Sequence, residues 1–260
     1  MDTLEKKEQM EKCKYCGKEF VWFQLPSFGG KNFNRVQIPQ CNCLEEIEEK
    51  QAAEERAKEK NARLSNLYKS SMITPLFRKK TFEELVKHSA EYGNLADINT
   101  AKHFADKFDP KTSKGMLLIG KVGTGKTTLQ AAICNQLLNR GYACLFTTLS
   151  ALLDRLTLHS YENAGDVESQ LKALCVFDYI VIDDLGRETY TDKRKEIAFR
   201  LIDTLLNYEK VVSFTANPEM IAKLKTIPEW AATLDRIRDI APIVWQFKGE
   251  SLRGKNDRSI

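Results

Sequence analysis

Gly120-Lys121-Val122-Gly123-Thr124-Gly125-Lys126-Thr127 sets three glycines, a lysine and a hydroxyl in the spacing G-x-x-x-x-G-K-[ST]. Glycines let a backbone wrap closely around a phosphate and aim its N–H groups at it. The helix that follows adds the positive end of its dipole. In such a loop Lys126 reaches the β- and γ-phosphates and the Thr127 hydroxyl ligates Mg²⁺. The flanks agree. Met116-Leu117-Leu118-Ile119 is a short apolar run suited to a buried parallel strand. Leu129 to Leu138 has helical apolar spacing and stops near Gly141, a C-cap residue. The chain is therefore expected to bind a nucleoside triphosphate on the backbone of residues 120–128.

Such a loop needs a second acidic element to hold the metal. Tyr179-Ile180-Val181-Ile182-Asp183-Asp184-Leu185-Gly186 provides one, an apolar strand that delivers two carboxylates at its C-terminal end. Asp183 is expected to contact Mg²⁺ and Asp184 to orient or deprotonate the attacking water, with Glu188 in reserve. Asn217 follows another apolar run, Val211 to Ala216. There it either contacts the γ-phosphate or the attacking water, or simply initiates a turn with Pro218. Arg236, in Leu234-Asp235-Arg236-Ile237, reads from composition as a surface salt-bridge residue.

A separate constellation lies at the front. Cys13-Lys14-Tyr15-Cys16 and Cys41-Asn42-Cys43 offer four thiolates, the set of a closed tetrahedral zinc site. A redox pair or unligated thiols are the alternatives. Phe20, Trp22, Phe23, Phe28 and Phe33 between the pairs form either a small core or a stacking surface for bases. Cys134, Cys144 and Cys175 sit in apolar surroundings and read as core thiols.

The elements that must position these residues are legible as alternation. Strands are predicted at 116–119, 143–147, 179–182, 211–216 and 243–247, with helical segments between, which is an α/β pattern with a five-stranded parallel sheet. Residues 1–43 form the cysteine module, 44–74 a helical linker dense in Glu, Lys, Arg and Ala, and 75–260 the nucleotide-binding domain. Thr81-Phe82-Glu83-Glu84 carries a capping box. Residues 248–260 read as a polar tail. With 260 residues, 42% hydrophobic, and a formal net charge of +4, one α/β domain and a small module fit; the mild basicity permits a nucleic-acid partner. No apolar leader or spanning run is apparent, so a cytoplasmic location and no membrane partner are expected.

Together these motifs resemble the AAA+ ATPases of the DnaC/DnaI type, the replicative helicase loaders, and their relative IstB. The resemblance runs over about residues 70–253. It rests on Thr81-Phe82-Glu83, on Gly115 to Gly120 leading into the loop, on Asp183-Asp184-Leu185-Gly186, on Thr215-Ala216-Asn217, and on Leu234 to Ile237 with Gly249-Glu250-Ser251-Leu252-Arg253. It implies ATP and Mg²⁺ as cofactors and an ATPase core without a C-terminal helical lid. Asn217 becomes the sensor of the γ-phosphate. Arg236 becomes a finger acting in trans, so that ATP sites form by self-association. Arg253 becomes a nucleotide contact. The implied partners are a hexameric replicative helicase, bound by the zinc module, and single-stranded DNA. An IstB-like transposition regulator acting on duplex DNA is the alternative. A small-molecule kinase would leave Asn217, Arg236 and the cysteines without a use. The chain departs from the family at Ala216, where serine is usual, and at Asn207, where arginine often precedes tyrosine. Asp184, where other AAA+ proteins have glutamate, implies slow hydrolysis.

Overall fold

The computed structural model describes residues 12–13, 15–24, 35–39, 41–92, 95–162, 166–187 and 191–247. The chain divides into two compact units, Met1–Ala62 and Arg63–Ile260.

In the first unit β1 (Phe20–Gln24) pairs antiparallel with β2 (Arg35–Pro39), from Phe20 opposite Pro39 to Gln24 opposite Arg35. Ahead of β1 the chain turns tightly, with Cys13 N–H donating to Lys18 O at 2.8 Å and Gly17 N–H to Cys13 O at 2.9 Å. Helix α1 (Cys43–Ser70) follows and continues into the second unit. Its described side chains are mostly exposed, as a charge-rich sequence with no continuous apolar stripe requires. Phe28 and Phe33 lie outside the described residues.

The second unit takes in residues 63–74, which the sequence reading placed in the linker. The reason is packing. Leu67 and Tyr68 lie against the core, and Phe146 N–H donates to Ser71 O at 2.8 Å. That bond covers an edge strand whose polar groups would otherwise face solvent. Next come α2 (Pro75–Arg78), α3 (Phe82–Tyr92) and α4 (Leu95–Lys107). Thr81 Oγ1 accepts from Glu84 N–H at 3.2 Å, one half of the expected capping box; the Glu84 carboxylate instead pairs with Lys80 at 2.6 Å.

The core then alternates: β3 (Met116–Gly120), α5 (Lys126–Asn139), β4 (Cys144–Thr148), α6 (Leu149–Glu162), α7 (Asp166–Leu174), β5 (Tyr179–Leu185), α8 (Asp192–Asn207), β6 (Val211–Ala216), α9 (Pro218–Lys225), α10 (Pro228–Ile240) and β7 (Ile243–Phe247). All five strands are parallel in the order β4-β5-β6-β3-β7. Helix α5 ends as expected, with Gly141 at φ 91° and Tyr142 N–H donating to Leu137 O at 3.1 Å.

Apolar runs suit strands buried on both faces, and the two faces are distinct here. Leu117, Ile180, Ile182, Val212 and Phe214 pack with α6–α10, whereas Met116, Leu118, Val181 and Val211 pack with α3–α5. Each fully buried side chain such as Ile133 or Leu137 contributes about 2 kcal/mol. Cys134 and Cys144 are core residues, and Cys175 is half-buried against the core. No described helix is long and apolar enough to cross a membrane. Among the described residues no element follows β7. The consequence for function is that β3, β5 and β6, adjacent in the sheet, all bring their C-terminal ends to one edge.

Candidate nucleotide site

At that edge β3 ends on Gly120, where a Cβ would lie 2.7 Å from Phe247 Cβ and 2.9 Å from its carbonyl oxygen. Only glycine lets the loop leave the strand this close to β7. Gly123 and Gly125 then take left-handed φ values of 82° and 91°, curling the backbone before α5 begins. Thr124 Oγ1 donates to Lys121 O at 2.9 Å and braces the curl. Lys126, the first residue of α5, is buried. Its ammonium donates to Gly120 O at 2.7 Å, Lys121 O at 2.8 Å and Asn217 Oδ1 at 3.3 Å. These oxygens hold the ammonium inside the loop.

Asn217 therefore joins the site. It is the N-cap of α9 with Pro218 in the first turn, yet its side chain makes no capping bond and is turned to Lys126 instead. Its backbone serves the turn, while its amide oxygen faces the lysine of the loop.

Asp183 is 6% exposed, and its Oδ1 accepts from Thr127 Oγ1 at 3.0 Å and from Thr215 Oγ1 at 2.5 Å. Burial pushes its carboxyl above the ordinary range; the Thr215 hydroxyl opposes that rise, and the charge of Asp184 adds to it. Thr127 Oγ1 and Asp183 Oδ1 are adjacent hard oxygen donors of the kind Mg²⁺ takes. The donor set fits the ion the loop implies, and these two residues would hold it.

Asp184 sits beside Asp183 with φ 56°, a left-handed conformation uncommon outside glycine. Its Oδ2 lies 3.2 Å from Arg187 Nη1. A cleft of about 380 Å³ opens above the loop, lined by Lys126 and Thr127 with Asp183, Asp184 and Asn217, and walled by Phe77 and Arg187. The sequence reading missed the last two. Arg187 was visible as a cation three residues after Asp184. Phe77 gave no signal, because only the tertiary fold lays α2 over the loop. Its ring packs 5.5 Å from that of Phe146.

Of the remaining expected residues, Gly120, Lys121 and Thr124 shape the loop, while Val122, Gly123, Gly125 and Thr128 line the cleft. Arg236 does not line it. Its Nε donates to Asp203 Oδ1 at 2.6 Å, and its guanidinium lies 4.4 Å over the Phe199 ring, both on α8. Asn207, where the resemblance expects arginine, donates to Asp203 Oδ2 at 3.1 Å, so one carboxylate orients both. Glu188 and Arg253 lie outside the described residues.

In the first unit the sulfurs of Cys13, Cys16, Cys41 and Cys43 all lie within 4.8 Å of one another. N–H groups of Cys16 and Tyr15 hold the Cys13 thiol down to about 6, while its hydrogen bond with Cys16, together with burial, holds Cys43 up to about 12. A soft four-sulfur set matches Zn²⁺ in number and chemistry.

Comparison with known proteins agrees with this geometry. The model of the family described as IstB-like ATP binding protein matches residues 37–259. The replicative helicase loader DnaC of Escherichia coli K12 is 29% identical over 195 residues, 74% of this chain and 77% of that protein. An insertion sequence ATP-binding protein (y4iQ/y4nD/y4sD) of Sinorhizobium fredii is 32% identical over 145 residues, 54% of this chain and 47% of that protein. The crystal structure of the DnaI shares the fold, with a TM-score of 0.55 at 21% identity, covering 70% of this chain and 95% of that one.

Proposed function

The chain belongs to the IstB-like ATP-binding protein family, and we propose that within it this chain is an ATP-dependent loader of a hexameric replicative helicase. The similarity to DnaC, spanning 77% of that protein, is the observation that carries the proposal.

In this reading the loop amides and Lys126 bind the triphosphate, exchanging the neutral contacts of the ammonium for phosphate oxygens. Thr127 and Asp183 would hold Mg²⁺, which when bound would neutralise charge on the phosphates. Asp184, projecting into the cleft, orients the attacking water and takes its proton. Asn217 reports the γ-phosphate to α9. Arg236 acts on the cleft of a neighbouring copy, with Asp203 and Phe199 holding its guanidinium until a phosphate is presented. Single-stranded DNA follows the assembled core through backbone amides and basic residues near the subunit seam, with the segment 149–174 contributing. The four-cysteine module, closed by Zn²⁺, grips the helicase. ATP stabilises the DNA-bound assembly and slow hydrolysis releases it.

Capture of the replicative helicase encoded in the same genome, with the full chain immobilised in ATP and Mg²⁺, tests the proposal. A stoichiometric complex is expected; no complex under any nucleotide condition would refute it. The similarity to the Sinorhizobium insertion-sequence protein supports a second reading, a transposition regulator that coats duplex DNA. ATP-dependent filaments on duplex in preference to single strands would favour that reading over the first.

A further inference from the structure

β6 is not uniformly apolar. Val212, Phe214 and Ala216 enter the core shared with α6–α10. Ser213, Thr215 and, just past the strand, Asn217 alternate with them and look the other way, towards α5. Ser213 Oγ accepts from Met116 N–H at 3.1 Å and lies 2.9 Å from the Tyr179 hydroxyl, which donates to Gln130 Oε1 on α5 at 2.6 Å. Asn217 meets Lys126, also on α5. Thr215, 1% exposed, stands between them. Hydroxyls this deep are retained only where each has partners.

The strand register shows what Thr215 does. Ile182 on β5 pairs with Phe214, and the next pairing is Leu185 with Ala216. Asp183 and Asp184 together therefore face the single residue Thr215. This is a β-bulge, which re-aims a side chain and leaves one backbone group without a ladder partner. Here the Asp184 N–H is that group, and it donates to Thr215 Oγ1 at 3.0 Å. The same hydroxyl donates its proton to Asp183 Oδ1 at 2.5 Å. The bulge is also where Asp184 adopts φ 56°.

We infer that Thr215 is a positioning residue for Mg²⁺-dependent hydrolysis. By accepting from one aspartate's backbone and donating to the other's carboxylate, it separates two adjacent, chemically identical side chains into two roles. Asp183 is held against Thr127, and Asp184 is turned into the cleft. Thr215 lies two residues before Asn217, so the end of β6 meets the aspartate pair and Lys126 at adjacent positions. The inference rests on the ATPase reading above.

The test uses the full chain with Thr215→Val, which keeps the shape and removes the hydroxyl, and Thr215→Ser, which keeps the hydroxyl. Affinity for a fluorescent ATP analogue is measured in EDTA and across a Mg²⁺ titration, alongside turnover. For Thr215→Val the half-saturating Mg²⁺ concentration is expected to rise about 10–100-fold and turnover to fall at least ~10-fold. Affinity in EDTA should stay within about 2-fold, and Thr215→Ser should recover the Mg²⁺ dependence to within about 3-fold. Wild-type Mg²⁺ dependence and turnover in Thr215→Val would overturn the inference. So would an equal loss of affinity in EDTA, which would make Thr215 a packing residue. If melting shows that the valine variant does not fold, Thr215→Ala is read by the same titrations. Failure of the underlying reading looks different: the wild-type chain itself would bind the analogue without regard to Mg²⁺ and hydrolyse nothing.

Discussion

The four sulfurs of the N-terminal unit and the polar side chains of the nucleotide cleft are both tight clusters, but they stand in opposite relations to their surroundings. Lys126, Asp183, Thr215 and Asn217 sit at the end of a parallel sheet covered by apolar side chains on both faces. That sheet fixes them before any ligand arrives. In the N-terminal unit, by contrast, Cys13 is the one buried apolar side chain among those described. There the four sulfurs join the turn ahead of β1 to the start of α1. A metal held by those four thiolates would couple to the folding of that unit, whereas the nucleotide cleft is built on the larger unit's sheet. Changes in one cluster should leave the other intact, and four variants probe the two clusters.

The largest effect is expected from Lys126→Ala. Losing two charge-assisted bonds to phosphate weakens nucleotide binding by about 10³-fold, read by titration with a fluorescent analogue. Zinc content per chain should not change. Arg236→Ala is next. Acting in trans, it should cut DNA-stimulated turnover by about 10³-fold while nucleotide affinity holds. Normal turnover with DNA present would assign Arg236 only to its contacts with Asp203 and Phe199. Cys13→Ser/Cys16→Ser should reduce zinc from about one equivalent per chain to near zero by elemental analysis. Its nucleotide affinity should remain within about 2-fold, and a larger loss would break the separation.

The smallest effect concerns stability. Burial raises the Asp183 carboxyl pKa above that of the unfolded chain. The folded state thus favours the protonated form, and stability is lost as pH rises from the ordinary aspartate range through the raised value. Asp183→Asn should therefore raise the nucleotide-free melting temperature at neutral pH by about 2 °C. The gain should shrink towards pH 4. A lower melting temperature at neutral pH would mean that the bonds from Thr127 and Thr215 outweigh the desolvation of the charge.

What could be read from residues alone follows the range of the interactions involved. The phosphate loop, Asp183 and the five strands are set by spacing within a few residues, and they lie where the periodicity puts them. Asn217 was ambiguous because Asn-Pro serves a turn as well as a site, and only the tertiary fold shows that its amide also lies at Lys126. The bulge at Asp183 and Asp184 depends on the register between β5 and β6, which no local pattern encodes. Its trace in the sequence is the alternation of Ser213, Thr215 and Asn217 through an apolar strand. Phe77 reaches the cleft through the packing of a four-residue helix, a contact with no periodic signature. The second unit begins inside α1 because Leu67 and Tyr68 find apolar partners far along the chain, while the composition of the helix stays uniform across that point.

The division of labour between the units is the central claim, and helicase capture by matched variants tests it most directly. With the full chain immobilised and equal amounts of helicase applied, Lys126→Ala should retain the helicase and Cys13→Ser/Cys16→Ser should lose it. Capture by the cysteine variant together with loss by Lys126→Ala would contradict the account and move the helicase contact to the nucleotide-binding unit.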